Sequence, residues 1–494
     1  MAETLDPGFL KTYQAGNPQL WWKKISGDME TPVSAFLKLK PLSPYRALLE
    51  SADPGSENKN RYSLLAFDPD VIWSLNKGTV SITTGAEKTH RNPENPLDDL
   101  RDFIAASALE IPDELPAMAA PVIGYLGFDC VRYLEKVSAG NTDEIGVPDA
   151  IFIRPKIVLV FDSYTASIFL ITTVRPAPGV DAGEAVRKAQ TRFSEIEALL
   201  HTSPAPPRKI AGDGVEITFT SNIEKGDFIK MVNRAKDYIL AGDVFQVVLS
   251  QRFSAGFDED PFTLYRVLRG LNPSPFMFYM DFNGLAVTGS SPEILVRLRD
   301  NIVTVRPIAG TRPRGKTAGE DAANKADLLA DKKELAEHLM LLDLGRNDVG
   351  RVSQPGSVQV TEQNSVEFYS HVMHIVSNVT GTLRPGLDAL DSLFGGFPAG
   401  TVSGAPKVRA LEIIQELEST SRGIYAGAAG YFSANGEMDT CIALRTAVIK
   451  DGVMHVQAGA GIVADSDAEE EWRECHLKAG ALFAAAKAAA NGQT

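Results

Sequence analysis

Apolar and polar positions alternate along several stretches of the chain, and most of these stretches are joined in pairs by tight-turn residues. FMFYMDF-NG-LAVTGS (276–290) is the clearest pair, because Asn-Gly suits the type I′ turn that matches strand twist. SPEILVRLR-DN-IVTVRP predicts a second pair. Residues 157–174 predict strands on either side of Asp162-Ser163, and GYFSA-NG-EMDTCIALRTAVI-KDG-VMHVQAGAGIV predicts three strands with tight turns. Helical periodicity falls between these runs: 181–200, Asp227 to a stop at Gly242, Asp260-Pro261 to Gly270, and a helix capped by Asp331. A further helix has Pro406 in its first turn and packs through Val408, Leu411, Ile414 and Leu417; a last one, capped by Asp467, covers roughly 468–489. Strands in hairpins with helices between them predict an α+β fold with mainly antiparallel sheets, not a doubly wound parallel one.

The 494 residues suffice for two large domains or one intertwined unit, and the proline cluster HTSPAPPRK (201–209) divides the chain into regions 1–205 and 215–494. A net charge of −14 argues against a nucleic-acid partner. Three scattered cysteines form no disulfide framework, which fits a reducing, cytoplasmic setting. The N-terminal stretch lacks the apolar core of a signal peptide, and no apolar run reaches the length of a membrane span, so no membrane partner is expected.

Two motifs are set aside. GAGIVA (459–464) matches a dinucleotide fingerprint but lacks the strand that must follow its helix; its glycines instead let backbone N–H groups approach a carboxylate. GTVSGAPK (400–407) lacks the Gly-Lys-Ser/Thr of a phosphate loop. The acidic run EEEWRECHLK (469–478) carries more. On the last helix Glu471, Glu474 and Lys478 share one face, while Cys475 and His476 are adjacent and cannot chelate together. Glu334 and Glu337 repeat the spacing on the helix after Asp331, with Leu335, Leu339 and Leu342 packing elsewhere. Either pair alone reads first as a solvated face; facing each other, the two would suit Mg²⁺. Arg306, Arg312 and Arg314 surround a glycine turn where a small polyanion could sit, and His371 and His374 lie in a mostly apolar segment.

DVFQVVLSQRF, GSSPEIL, RPIAGTRPRG, LDLGRNDVGRV, FPAGTVSGAPKVRA and AGAGIVADSDAEEEWRE follow one another in this order. Together with LLES (48–51), RYSLLAFDP and GYLGFDCVRYLE, they resemble the chorismate-utilising enzymes, and within them the anthranilate synthase component I family. The resemblance implies two mainly antiparallel sheets packed as a sandwich with helices outside, the N- and C-terminal regions intertwined. It implies a catalytic region at 215–494 and a regulatory, partner-contacting region at 1–205. It also implies that chorismate and ammonia become anthranilate and pyruvate.

By motif, Mg²⁺ falls to Glu337 and Glu474, with Glu334 and Glu471 acting through water. Glu293 is the implied general acid and His374 the base that expels pyruvate, with Thr401 and Thr311 lining the same pocket. Tyr425 and Arg445 take the enolpyruvyl carboxylate; Lys478 and the wall Gly459, Ala460 and Gly461 take the ring carboxylate. Water-adding relatives carry a lysine where this chain has Gln246, and aminodeoxychorismate synthases typically one where it has Ala309, so direct ammonia addition is implied. With no glutaminase nucleophile in the chain, ammonia is expected from a separate glutamine amidotransferase subunit. Glu50, Ser51, Asn272, Pro273, Met277 and Phe278 match the family's tryptophan pocket, implying feedback inhibition. The competing readings are an aminodeoxychorismate synthase and a non-catalytic tryptophan-binding subunit.

Overall fold

The computed structural model describes residues 6–51, 61–138, 141–203, 214, 216–369 and 372–492. Most of the proline cluster and His371 therefore lie outside the described residues. The architecture is α+β, and the pairings between its strands are antiparallel.

Two layers emerge from the pairing. In the first, Gln246–Gly256 pairs with Val453–Ile462, which pairs with Thr446–Lys450, then Leu285–Ser291, Phe276–Phe282 and Tyr45–Glu50. In the second, Val372–Thr382 leads through Ile302–Val305, Ile294–Arg299 and Met438–Ile442 to Ala428–Ser433 and Pro121–Leu126. Two long strands, Tyr62–Asn76 and Ala150–Asp162, serve both layers. Their register shifts between Pro69 and Val71; the part before the shift pairs with Tyr45–Glu50, the part after it with Thr79–Thr84. A bulge of this kind bends a strand and lets it change sheets.

Alternation then builds the core. Along Phe276–Phe282, Phe278, Met280 and Phe282 join Ala47, Leu64, Ile123, Tyr431 and Cys441 between the two layers. Met277 and Tyr279 point the other way, into a second cluster with Phe36, Phe262 and Tyr265 from the covering helices. The N-terminal strand Tyr45–Glu50 sits beside Phe276–Phe282, and Pro121–Leu126 beside Ala428–Ser433, so the two halves of the chain are intertwined as expected.

Sequence and structure agree on the caps Asp331 and Asp467 and on the helix starts at Asp181 and Asp260, which also prove to be caps. They differ at five places. The helix ending at Gly242 starts at Lys225 with Glu224 as its cap, and the helix after Asp260 runs one residue past Gly270. Pro406 caps its helix from outside, and Val408 is exposed. Leu339 is likewise exposed, so the packing face of its helix is carried by His338, Leu341, Leu342 and Gly345. Finally, the stretch 428–462 makes four strands, because the chain breaks at Ala443–Arg445.

Candidate active site

That break sets the first functional group. Arg445 adopts a left-handed backbone (φ 47°), which costs a non-glycine residue on the order of 1 kcal/mol or more. Its guanidinium is mostly buried, and burial pushes its pKa down. Among the described residues, no carboxylate lies within ion-pair distance of it and no group accepts its hydrogen bonds. Removing a cation from water without a partner is expensive, so this one is held for an anion.

Glu293 lies in the turn between Leu285–Ser291 and Ile294–Arg299. Burial pushes its carboxyl up to about 8, against the opposing influence of the Thr401 hydroxyl, Arg445, the Ile308 N–H and Lys478. It therefore holds a proton at neutral pH. The Thr401 hydroxyl is near enough to favour the ionised form, but its geometry falls short of a full hydrogen bond, so it is buried without a partner.

His374 stands opposite Thr311 in the pairing of Val372–Thr382 with Ile308–Pro313. Its Nδ1 is 2.9 Å from the Gly310 carbonyl and 3.2 Å from the Thr311 hydroxyl. A carbonyl only accepts, so Nδ1 carries the hydrogen and Nε2 keeps a lone pair. Burial pushes the imidazole down to about 4, with Arg445 and Lys478 also opposing its charge, so it is neutral.

The carboxylates come from the helices Lys332–Val352 and Ala468–Ala490, tied at their starts by Lys333 and Asp465 at 3.1 Å. Burial, then the charge of Glu334, push Glu337 upward, and Glu474 from the other helix adds to the rise. Glu471 is raised by burial and by Glu474. Each of three acids has a partner: Gln246 Nε2 donates to Glu337 at 3.3 Å, Lys478 pairs with Glu474 at 2.6 Å, and Arg312 pairs with Glu334 at 3.1 Å. Among the described residues no three potential ligands converge on one point. The donor set is all oxygen and mutually repelling, which fits a hard dication once Gln246 and Lys478 turn aside.

The glycine wall closes the site. A side chain on Gly461 would stand 2.4 Å from Gln246 Nε2, and one on Gly459 would stand 2.7 Å from the Tyr425 hydroxyl. Lys478 donates to the Gly459 carbonyl at 2.9 Å, and Ala460, between the glycines, is buried. The structure thus gathers Glu293, His374, Thr311, Thr401, Tyr425, Arg445, Lys478, the acids and the wall into one region.

The arginine run joins them only through Arg312, which pairs with Glu334. Arg312 is held by Asp327, Asp331 and Glu334, Arg314 by Asp321, and Arg306 by Glu362 and Glu367. Their partner acids, which lie between Asp321 and Glu367, could not be foreseen from the run alone. Cys475 is buried, and His476 stacks on Trp472 at 3.5 Å, so neither faces the acids.

A cavity of about 460 Å³ lies between the layers, lined by Glu50, Ser51, Met277 and Phe278. Glu50 already accepts from the Tyr265 hydroxyl (2.6 Å) and from Arg269 (3.0 and 3.1 Å). Asn272 and Pro273 are not on the lining; the Asn272 amide donates to Ser290 at 3.2 Å. Pro275 lines it instead from just before its strand, with Tyr431, Asp439 and Cys441 from strands whose alternation faces the inter-layer core.

Acid–base chemistry on a small anion is what such a region is built for: a proton donor, a neutral base and an unpaired cation share one partly dry space. The chain matches the chorismate binding enzyme family over residues 47–484. Anthranilate synthase component 1 of Cereibacter sphaeroides is 49% identical over 97% of this chain and 96% of its own. The protein of the same name from Pseudomonas putida is 48% identical over 93% of each. The solved anthranilate synthase component I of Streptococcus pneumoniae superimposes with a TM-score of 0.75 at 39% identity, covering 87% of this chain and 93% of that one. The menaquinone-specific isochorismate synthase of Escherichia coli, 21% identical, shares the fold with a TM-score of 0.70 over 95% of each chain. This chain belongs to the chorismate binding enzymes and is a chorismate-utilising enzyme.

Proposed function

We propose that the chain converts chorismate and ammonia to anthranilate and pyruvate, as the large component of an anthranilate synthase. The unpaired Arg445 guanidinium beside a protonated Glu293 carries this reading. Arg445 and the Tyr425 hydroxyl hold the enolpyruvyl carboxylate, and the Gly459–Gly461 wall with Lys478 takes the ring carboxylate. Glu337 and Glu474, backed by Glu334 and Glu471, would hold Mg²⁺, which supplies positive charge against that ring carboxylate.

Glu293 gives its proton to the C4 hydroxyl, which leaves as water while ammonia adds at C2. Nε2 of His374 then takes the C2 proton as the enolpyruvyl C–O bond breaks, pyruvate departs and the ring becomes aromatic. Gln246 and Ala309 supply no amine, which favours free ammonia over water or a lysine as nucleophile. A glutamine amidotransferase would deliver that ammonia, and tryptophan in the inter-layer cavity would inhibit. No helix among the described residues is long and apolar enough to cross a membrane.

Incubating the purified chain with chorismate, Mg²⁺ and an ammonium salt should give anthranilate fluorescence and one pyruvate per anthranilate. Chorismate loss without pyruvate would mean an aminodeoxychorismate product. No loss of chorismate, with or without an added glutaminase, would favour a binding subunit.

A further inference from the structure

The motif GYLGFDCVRY, in the N-terminal region, is left without a task by the reaction above. Its position suggests one. Tyr425 sits on the segment 423–427, which belongs to no strand or helix and includes two left-handed residues, Gly423 (φ 59°) and Ala426 (φ 64°). Such a segment does not hold its own shape; its neighbours must.

The neighbour is residues 126–129. The Phe128 N–H donates to the Gly423 carbonyl at 2.7 Å. The Gly423 N–H donates to Asp129 Oδ2 at 2.8 Å. The two backbones meet so closely that a side chain on Gly127 would stand 2.8 Å from the Gly423 oxygen, and one on Gly427 2.3 Å from the Leu126 oxygen. The rest of the segment is anchored by Arg422, which is buried, paired with Glu418 at 2.7 Å, and lies over the rings of both Phe128 and Tyr425. From this anchor the Tyr425 hydroxyl reaches the Gly459 wall.

We propose that Asp129 is a positioning residue for chorismate, fixing through the Gly423 N–H the backbone that aims Tyr425 at the substrate. The N-terminal region then builds part of the active site. Burial pushes the Asp129 carboxyl up to about 6, with Asp149 adding to the rise and the Gly423 N–H, Arg132 and Arg422 opposing it; at neutral pH it remains the charged, stronger acceptor. Asp129 also borders a cavity of about 300 Å³, so a substitution there meets space and does not overpack.

The inference rests on the reading that Tyr425 contacts chorismate, and a double-mutant cycle on the full chain separates the two. Asp129→Ala should raise KM for chorismate about tenfold, with KM for ammonia changed less than about twofold, and Asp129→Asn, which keeps an acceptor, should restore most of the loss. In a Tyr425→Phe background the effect of Asp129→Ala should shrink to under about threefold. Near-UV circular dichroism and melting of each variant show that it folds. Equal effects in both backgrounds, or an unchanged KM in a folded Asp129→Ala, would overturn the proposal. A Tyr425→Phe variant with the parent KM would overturn the Tyr425 contact itself.

Discussion

Glu293 and His374 owe their protonation states to burial, and the signs of the two shifts give a pH profile. His374 is neutral above about 4, and Glu293 keeps its proton up to about 8. Turnover needs both forms, so kcat/KM at fixed free ammonia should be level between about 4 and 8 and fall on either side. A flat profile through pH 9 would remove Glu293 as the acid. Glu293→Gln should lower kcat by at least about 100-fold. The same change should act oppositely on stability. An unfolded glutamate loses its proton near 4.5, but the folded chain keeps it to about 8, so the native state loses stability as pH rises through that window. Glutamine has no such loss, and the melting temperature of Glu293→Gln relative to the parent should climb between pH 4 and pH 8. At this scale the sequence was legible where motifs name residues. The pairing of Arg312 and Arg314 was not, since it depends on which acids the fold brings alongside.

Among elements, the tight turns were the most readable. Asn283-Gly284 and Asp300-Asn301 all take positive φ, as their residue types require. The merged strand 437–449 failed for a physical reason: its alternation continues through CIALRTAV, and nothing local reveals that Arg445 turns left-handed to serve the site. The glycine strand Val453–Ile462 shows why small residues are needed there, and the two glycines should differ. A side chain on Gly459 meets the Leu249 backbone oxygen at 2.8 Å, whereas one on Gly461 meets the movable end of Gln246. Gly459→Ala should cost about 1–3 kcal/mol in urea unfolding and raise KM for chorismate. Gly461→Ala should cost less than about 1 kcal/mol, because Gln246 can move aside, but should still raise KM for chorismate, because the added methyl narrows the wall that takes the ring carboxylate. Equal destabilisation by both would contradict this account of the wall.

The molecule as a whole places the cavity and the active site back to back. Pro292 and Ile294 line the cavity, and Glu293, the residue between them, points the other way toward Thr401 and Arg445. Ile308 lines the cavity as well, and its N–H is near enough to favour the ionised Glu293 carboxyl. Tyr369 does so from the far end, its ring meeting His374 at 5.4 Å. Pro292, Ile294, Ile308 and Tyr369 therefore stand between the two spaces, next to the acid Glu293 and the base His374. A ligand that fills the cavity need not move whole layers to affect the reaction; a small shift of Ile294 tilts the carboxyl it adjoins. On this account tryptophan should inhibit, and Ile294→Ala should separate binding from inhibition. Tryptophan should bind the variant within about threefold of the parent by equilibrium dialysis, yet raise the chorismate KM by less than half the parent's factor. Inhibition as strong as the parent's at equal occupancy would mean that the signal crosses elsewhere, through the strands that the two halves of the chain share.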